Sequence, residues 1–381
     1  MKYIVSNHTY HITHNDSDAL GCALVVDFYY LRNSLVQTNY NSIETSKDVI
    51  SNLVNCLEII YGINNIEVDT NTDEEFIKFK EYTFGWLYDS SEVICIPKNI
   101  IITDLPVDPF MLDRLDKIAQ KGDINLLYID HHASNLENNL RYPWCHVKAT
   151  DEQSVPRSAC KYLYDYLIDN YGNIIEDNDT FKSAVIKNLI NDISRYDTWL
   201  WKNDPKTKPN ENYATVLINN YGDIKTVHDL IFENICNDDI ENDLCDIPEF
   251  ATLINIDRDK RNLYIKKYMK NVVYFTDAIN ICIADEQYRN TRFAMIILPE
   301  IYSNDIMVNI YLNTDIDIVI GIFPTSRTVS FRRNPNCNID LGEFAKRYYG
   351  GGGHKAASGA KLSTETFMMF LTTYYGTLDS L

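Results

Sequence analysis

Two runs limit what this chain can fold into. Ile100-Ile101-Ile102-Thr103-Asp104 and Ile124-Asn125-Leu126-Leu127-Tyr128-Ile129-Asp130 are nearly continuous in apolar residues, and each stops at an aspartate. A strand with one wet face alternates apolar and polar residues. A strand without that alternation is covered on both faces, as in a parallel sheet layered between helices. Such sheets bind ligands beyond the carboxyl ends of their strands, which is where Asp104 and Asp130 stand. Residues 1–201 are therefore expected to form an α/β domain on a parallel sheet.

The rest of the chain reads differently. Within residues 41–98 the pattern is irregular, and the acidic, Asn-rich stretch Asn64–Glu75 marks an insertion. The Lys/Pro/Asn-rich stretch Lys202–Asn212 leaves the first domain as a loop. A polar helical segment, Ile224–Met269, follows, so residues 202–270 are expected to be a helical linker. Residues 271–381 are expected to form a smaller mixed α+β domain. Its strands are predicted at Val272–Phe275, Ala278–Ala284, Phe293–Ile297, Met307–Leu312, Ile318–Phe323 and Val329–Arg332, with a helix at Leu362–Tyr375.

Composition excludes several classes. No apolar run is long enough to span a bilayer, and Met1–Tyr10 lacks the apolar core of a secretory signal. The nine cysteines are scattered and never spaced C-x-x-C, which fits a reducing, cytoplasmic setting better than a disulfide framework. The net charge of −19 disfavours long duplex nucleic acid as a partner. The charge is uneven, however. Ile320–Leu381 holds seven Lys/Arg against four Asp/Glu, which leaves −22 on the remainder. An anionic substrate should lean on that C-terminal stretch and on bound metal, and a short one fits best.

Three clusters suit metal chemistry. In His14-x-Asp16-x-Asp18, side chains two apart in an extended segment point the same way, so three ligands face one spot just before a helix. The plain alternative is a polar turn with an aspartate N-cap. Asp130-His131-His132 joins a carboxylate to two imidazoles at a strand end, a set that suits Mn, Zn or Fe better than Ca. Asp197, in Ser194-Arg195-Tyr196-Asp197-Thr198-Trp199, gains weight only in their company. Asp108 and Asp192 read as capping or exposed, and His8, His11, His146 and His228 as ordinary surface or core residues.

A fourth motif, Gly350-Gly351-Gly352-Gly353-His354, costs much backbone entropy. What four glycines allow is a close approach of backbone N–H groups to an anion. His354 can donate to a phosphate oxygen, and Arg332, at a strand end, can clamp one bidentately. Arg333, next along, should face the other way.

As a set, THNDSDALG, ITDLPVD, YIDHHAS, SRYDTWLW and YGGGGHKAASG resemble the DHH phosphoesterase family, in its order and over nearly the whole chain. The likeness is strongest to its nano-RNase branch. It implies two Mn²⁺ ions, with Mg²⁺ or Co²⁺ as substitutes. One would be held by His14, Asp16 and Asp104; the other by Asp18, Asp104, His131 and Asp197. Asp130 would orient a histidine, and His132 would face the substrate or the attacking water. Arg332, Gly351, Gly352, Gly353, His354 and Ser358 would bind substrate phosphate. The resemblance implies hydrolysis of short oligoribonucleotides to 5′-mononucleotides, with linear or cyclic dinucleotides as the rival substrate. A RecJ-like single-strand DNA exonuclease and a non-catalytic nucleotide sensor rank lower. Ala19 departs from the glycine usual at its position. The long spacing from Asp18 to Asp104 fits an insertion that covers the cleft, restricts substrate length or builds a homodimer contact.

Overall fold

The computed structural model describes residues 2–30, 33–37, 50–51, 53–55, 57–58, 61, 93–172, 180–198, 200, 213–237, 239–240, 243–275, 288, 290–299, 301–353 and 355–378. They form two units, 1–254 and 255–381. Most of the proposed 41–98 insertion, the strand at Ala278–Ala284, and His354 lie outside the described residues.

The first unit opens β1 (Lys2–Thr13), α1 (Ser17–Tyr30), β2 (Asn33–Gln37), β3 (Val93–Thr103), α2 (Pro109–Gly122), β4 (Asn125–Asp130) and β5 (Cys145–Val147). The sheet order is β2-β1-β3-β4-β5, and every pairing is parallel. Thr13 pairs with Thr103, and Thr103 with Ile129. His14, Asp104 and Asp130 therefore leave three adjacent strands at one level. The missing alternation in these strands has the expected cause. Ile101 and Ile129 pack into a core on one face of the sheet, whereas Ile100, Ile102 and Tyr128 pack into a second core on the other.

Helices complete this unit: α3 (Ala159–Tyr171), α4 (Thr180–Asp197), α5 (Tyr213–Tyr221) and α6 (Ile224–Cys236). Central to them is α1, whose residues 19–26 are all buried, as suits a helix apolar around its circumference. Residues 213–254, expected within a linker, instead belong to the first unit. Ala214, Leu217, Val227, Ile231 and Ile235 share a core with Leu20, Leu24 and Cys160, so the polar composition described only their outward faces. The unit boundary falls inside α7 (Pro248–Tyr268).

The second unit holds β6 (Val273–Phe275), β7 (Phe293–Ile297), α8 (Ser303–Leu312), β8 (Ile318–Phe323), β9 (Thr328–Arg333), α9 (Leu341–Tyr349), β10 (Gly352–Gly353), β11 (Ala357–Lys361) and α10 (Thr364–Leu378). Its sheet, β10-β11-β9-β8-β7-β6, is mixed: only β7 and β8 pair in parallel. Met307–Leu312, expected as a strand, is helical within α8. Both kinds of element can bury a short apolar run, and periodicity does not separate them at that length. The two units together are the expected α/β fold: a parallel-sheet domain and a smaller mixed one. Among the described residues no helix is long and apolar enough to cross a membrane, and Cys22, Cys145, Cys160 and Cys337 are buried outside any disulfide.

Candidate functional site

The carboxyl ends of β1, β3 and β4 bring the first unit's sequence motifs to one place. Three groups of side chains each offer ligand atoms within 4.8 Å of one another: His14, Asp16 and Asp104; Asp18, His131 and Asp197; and Asp104, His131 and His132. Asp104 belongs to two of them. His131 Nε2 lies 3.4 Å from Asp104 Oδ1, 3.8 Å from Asp197 Oδ2 and 3.9 Å from Asp18 Oδ2. These gaps exceed hydrogen-bond length. They suit atoms that share one cation, each about 2 Å from it.

Local structure explains how each group is held. Asp16 is both things its motif allows. Its Oδ1 accepts from Ala19 N (3.0 Å), capping α1, while its Oδ2 is 2.9 Å from His14 Nδ1. Asp104 leaves β3 with φ of 53°, a left-handed backbone that aspartate tolerates better than most residues. Asp18, on the first turn of α1, points at the start of α3. Its two oxygens accept from Ala159 N (2.8 Å) and Cys160 N (2.9 Å), so a helix N-terminus holds this carboxylate. Ser158 caps that helix, and Asp197 is the last residue of α4.

Asp130 is fully buried and amply satisfied. Its oxygens accept from His131 N (2.8 Å), Tyr128 Oη (3.2 Å) and Asn135 Nδ2 (2.5 Å), and Oδ1 is 2.8 Å from His132 Nδ1. These contacts fix the His132 ring. Ser158, Ala159, Cys160, Tyr128 and Asn135 were not singled out from sequence. Ser158 could have been, as a serine before an apolar helical run. The amides of residues 159 and 160 carry no side-chain signal at all.

Electrostatics separates the aspartates. Burial pushes Asp104 well above the usual carboxylate range, and Asp16, Asp18 and Asp197 push it further. Asp197 is raised to about 7 by burial and by Asp18, against the opposing pull of His131. Burial would raise Asp130 as well, but its hydrogen bond to His132 and that ring's charge leave it below the ordinary value. Burial lowers His131, and Asp197 and Asp18 more than reverse this. Buried like charges at this density are costly without a counter-charge. The Asp197 Oδ2 atom is buried and has no hydrogen-bond partner among the described residues. The donor set, the crowding and this orphan oxygen fit a site for divalent cations.

The second unit carries the other motif. Arg332 Nε donates to Asn304 Oδ1 (3.0 Å), and its Nη1 donates to Ser330 Oγ (2.7 Å) and Phe331 O (2.9 Å). Arg333 turns elsewhere and donates to Cys337 O. The glycine run has reasons of its own in the fold. Gly350 ends α9 in the left-handed conformation at φ of 65°. A Cβ at Gly351 would sit 2.1 Å from Gly359 O. Gly352 and Gly353 pair with Gly359 and Ser358 as β10, so they are strand rather than open loop. Ser358 Oγ is buried without a hydrogen-bond partner among the described residues.

Of the remaining candidates, Asp108 caps α2 through Phe110 N. Asp192 is exposed on α4 and joins none of the ligand groups. His11 and His228 are core residues, and His228 Nε2 lies 2.7 Å from Asp27 Oδ2.

No family model matches the chain. Oligoribonuclease NrnB of Bacillus subtilis (strain 168) is 25% identical over 370 residues, covering 95% of this chain and 75% of that protein. The likeness to this oligoribonuclease runs over nearly the whole chain, as the resemblance to DHH phosphoesterases implied. A second relative, 3′,5′-cyclic-nucleotide phosphodiesterase of Helicobacter pylori, is 21% identical, covering 93% of this chain and 92% of that protein. Among solved structures, the pGpG-specific phosphodiesterase PggH from Vibrio cholerae aligns over 98% of this chain and 99% of its own, at 12% identity and a TM-score of 0.49.

Proposed function

We propose that this DHH protein is a Mn²⁺-dependent oligoribonuclease that hydrolyses RNAs of roughly two to five nucleotides to 5′-mononucleotides, short because a chain of −19 offers no long basic track. The observation that carries the reading is the convergence of His14, Asp16, Asp18, Asp104, His131, His132 and Asp197 at the carboxyl end of the parallel sheet. The name of the B. subtilis relative supports the substrate class.

Two divalent cations held there supply Lewis-acid charge to the phosphodiester and lower the pKa of the attacking water. The residues divide the work of holding them. His14, Asp16 and Asp104 would hold one ion; Asp18, His131 and Asp197, with Asp104, would hold the other. The amides of Ala159 and Cys160 orient Asp18. Asp130 keeps the Nδ1 side of His132 engaged, which sets that ring for contact with the substrate phosphate. In the second unit, Arg332, Ser358, His354 and the backbone of Gly351–Gly353 bind substrate phosphate, Arg332 as the permanent positive charge.

A second reading is hydrolysis of linear or cyclic dinucleotides; the name of the H. pylori relative supports only cleavage of a cyclic-nucleotide phosphodiester. One assay separates the two. Labelled di- to decamer RNA, matching DNA and cyclic dinucleotides are incubated with Mn²⁺, and products are resolved by length. Mononucleotides from the shortest RNAs are expected, with rates falling as length grows. Preferential opening of a cyclic dinucleotide would replace the first reading with the second. Intact substrates of every kind would overturn both.

A further inference from the structure

In the first unit's sheet β1 is paired on both sides, yet one of its faces is polar. Thr9, His11 and Thr13 alternate along it and are wholly inaccessible, whereas Tyr10 and Ile12, between them, pack into the second core. Polar groups buried in this way cost stability unless they bond to one another. His11 and Thr13 do so through Thr103. His11 Nε2 lies 2.8 Å from Thr103 Oγ1, and Thr103 Oγ1 donates to Thr13 Oγ1 at 2.9 Å. Because the Thr103 proton goes to Thr13, its oxygen accepts from His11, which makes that imidazole the Nε2–H tautomer. Burial, with His228 adding to it, pushes the pKa of the ring down to about 3, so it is a neutral and permanent donor. Its Nδ1 is buried without a hydrogen-bond partner among the described residues.

The Cys22 thiol joins the same knot. It sits on α1, one turn past Asp18, and is hydrogen-bonded to Thr103. Three segments therefore meet at one hydroxyl, and each carries a candidate cation ligand beside its contact. Thr13 precedes His14, Thr103 precedes Asp104, and Cys22 follows Asp18 by one turn. Backbone pairing already ties β1 to β3. The helix has no such tie, because hydrophobic packing is non-directional and sets no register for α1 on the sheet. Valine at position 103 would fill nearly the same space and extend the apolar core of Ile101 and Ile129. What the hydroxyl adds is direction.

We propose that Thr103 is a positioning residue for the cation cluster: its hydroxyl joins β1, β3 and α1 at one point and so sets His14, Asp104 and Asp18 to a common centre. The inference rests on the reading of those three as cation ligands.

The test uses the full-length protein and follows Mn²⁺ itself, through the EPR signal of the free ion, beside thermal melting in EDTA. Thr103→Val should weaken Mn²⁺ binding about tenfold, the scale for residues that orient metal ligands, and should lower kcat on a dinucleotide RNA with KM little changed. Thr103→Ser keeps the hydroxyl and should bind Mn²⁺ within about twofold of wild type, whatever its Tm in EDTA. Ile101→Val, on the same strand, should lower that Tm by thinning the core and leave the affinity alone. Wild-type affinity in Thr103→Val would overturn the proposal. So would an equal loss in Thr103→Ser, or an affinity that follows Tm across the three variants. Should Thr103→Val not fold, Thr13→Val carries the test, since it removes the acceptor of the same hydroxyl, and unchanged affinity there is the overturning result. Asp104→Asn separates the inference from its premise. If that variant binds Mn²⁺ as wild type does, the cation reading fails and takes the inference with it. If it loses Mn²⁺ while Thr103→Val keeps it, the inference falls alone.

Discussion

The two units treat charge in opposite ways. The first collects carboxylates at the end of its sheet and buries them faster than it pairs them: Asp18 and Asp104 are almost wholly inaccessible, and Asp197 keeps an oxygen without a hydrogen bond among the described residues. The second takes an arginine and surrounds it with neutral oxygens from Asn304, Ser330 and its own strand. One region, on the proposed reading, is electrostatically complete only with an outside cation. The other meets its arginine with neutral acceptors among the described residues. The contrast implies that metal should govern both activity and stability in the first unit, whereas in the second the polar residues should matter for substrate alone.

The sharpest way to break the comparison is Asp104→Asn. Loss of about 10³-fold or more in kcat is expected, since this side chain belongs to two of the three ligand groups. Full activity with added Mn²⁺ would sink the two-metal reading. The same variant in EDTA should be at least as stable as wild type by thermal melting, because a buried and repelled carboxylate is gone. It should gain less from Mn²⁺ than wild type does.

Asp130→Ala tests the reverse case within the same unit. This carboxylate is satisfied by Tyr128, Asn135, His131 and His132, so its removal strands buried donors. Urea denaturation should show a loss of about 2–4 kcal/mol with or without metal. A stability unchanged in EDTA would mean that Asp130 is no more structural than Asp104.

Smaller effects belong to the glycine run. Gly351→Ala should cost about 1–3 kcal/mol, because its Cβ meets Gly359 O at 2.1 Å. Gly353→Ala should cost a similar amount, since φ is 140° there. Gly352→Ala has open space and should melt close to wild type, so any rise in its KM reports on phosphate binding alone. Equal destabilisation by all three would show that crowding is not what selects these glycines.

The sequence made the strand ends legible because burial on both faces leaves a plain mark, and the aspartates that end those runs are where the cluster forms. Its silent half lies in contacts without side-chain identity. The pairing of Asp18 with the amides of residues 159 and 160 spans more than 140 residues, and any residue except proline could supply those donors. Met307–Leu312 failed for another reason. Five residues of α8, Ile306, Met307, Val308, Ile310 and Tyr311, are buried, so the stretch shows no polar face to set its period. The glycine run was legible as costly, but its cost has two sources. Fold crowding accounts for Gly351 and Gly353, and a chain viewed alone shows no neighbouring strand to crowd them.

The bonds from Ala159 and Cys160 to Asp18 also give the protein a gauge of its own occupancy. A cation drawing on the Asp18 oxygens weakens them as acceptors, and the two amide protons sense it directly. In a ¹⁵N-labelled sample titrated with a diamagnetic divalent ion, those two resonances should move together and track loading of that ion's position. They offer a readout of metal binding that needs neither substrate nor turnover.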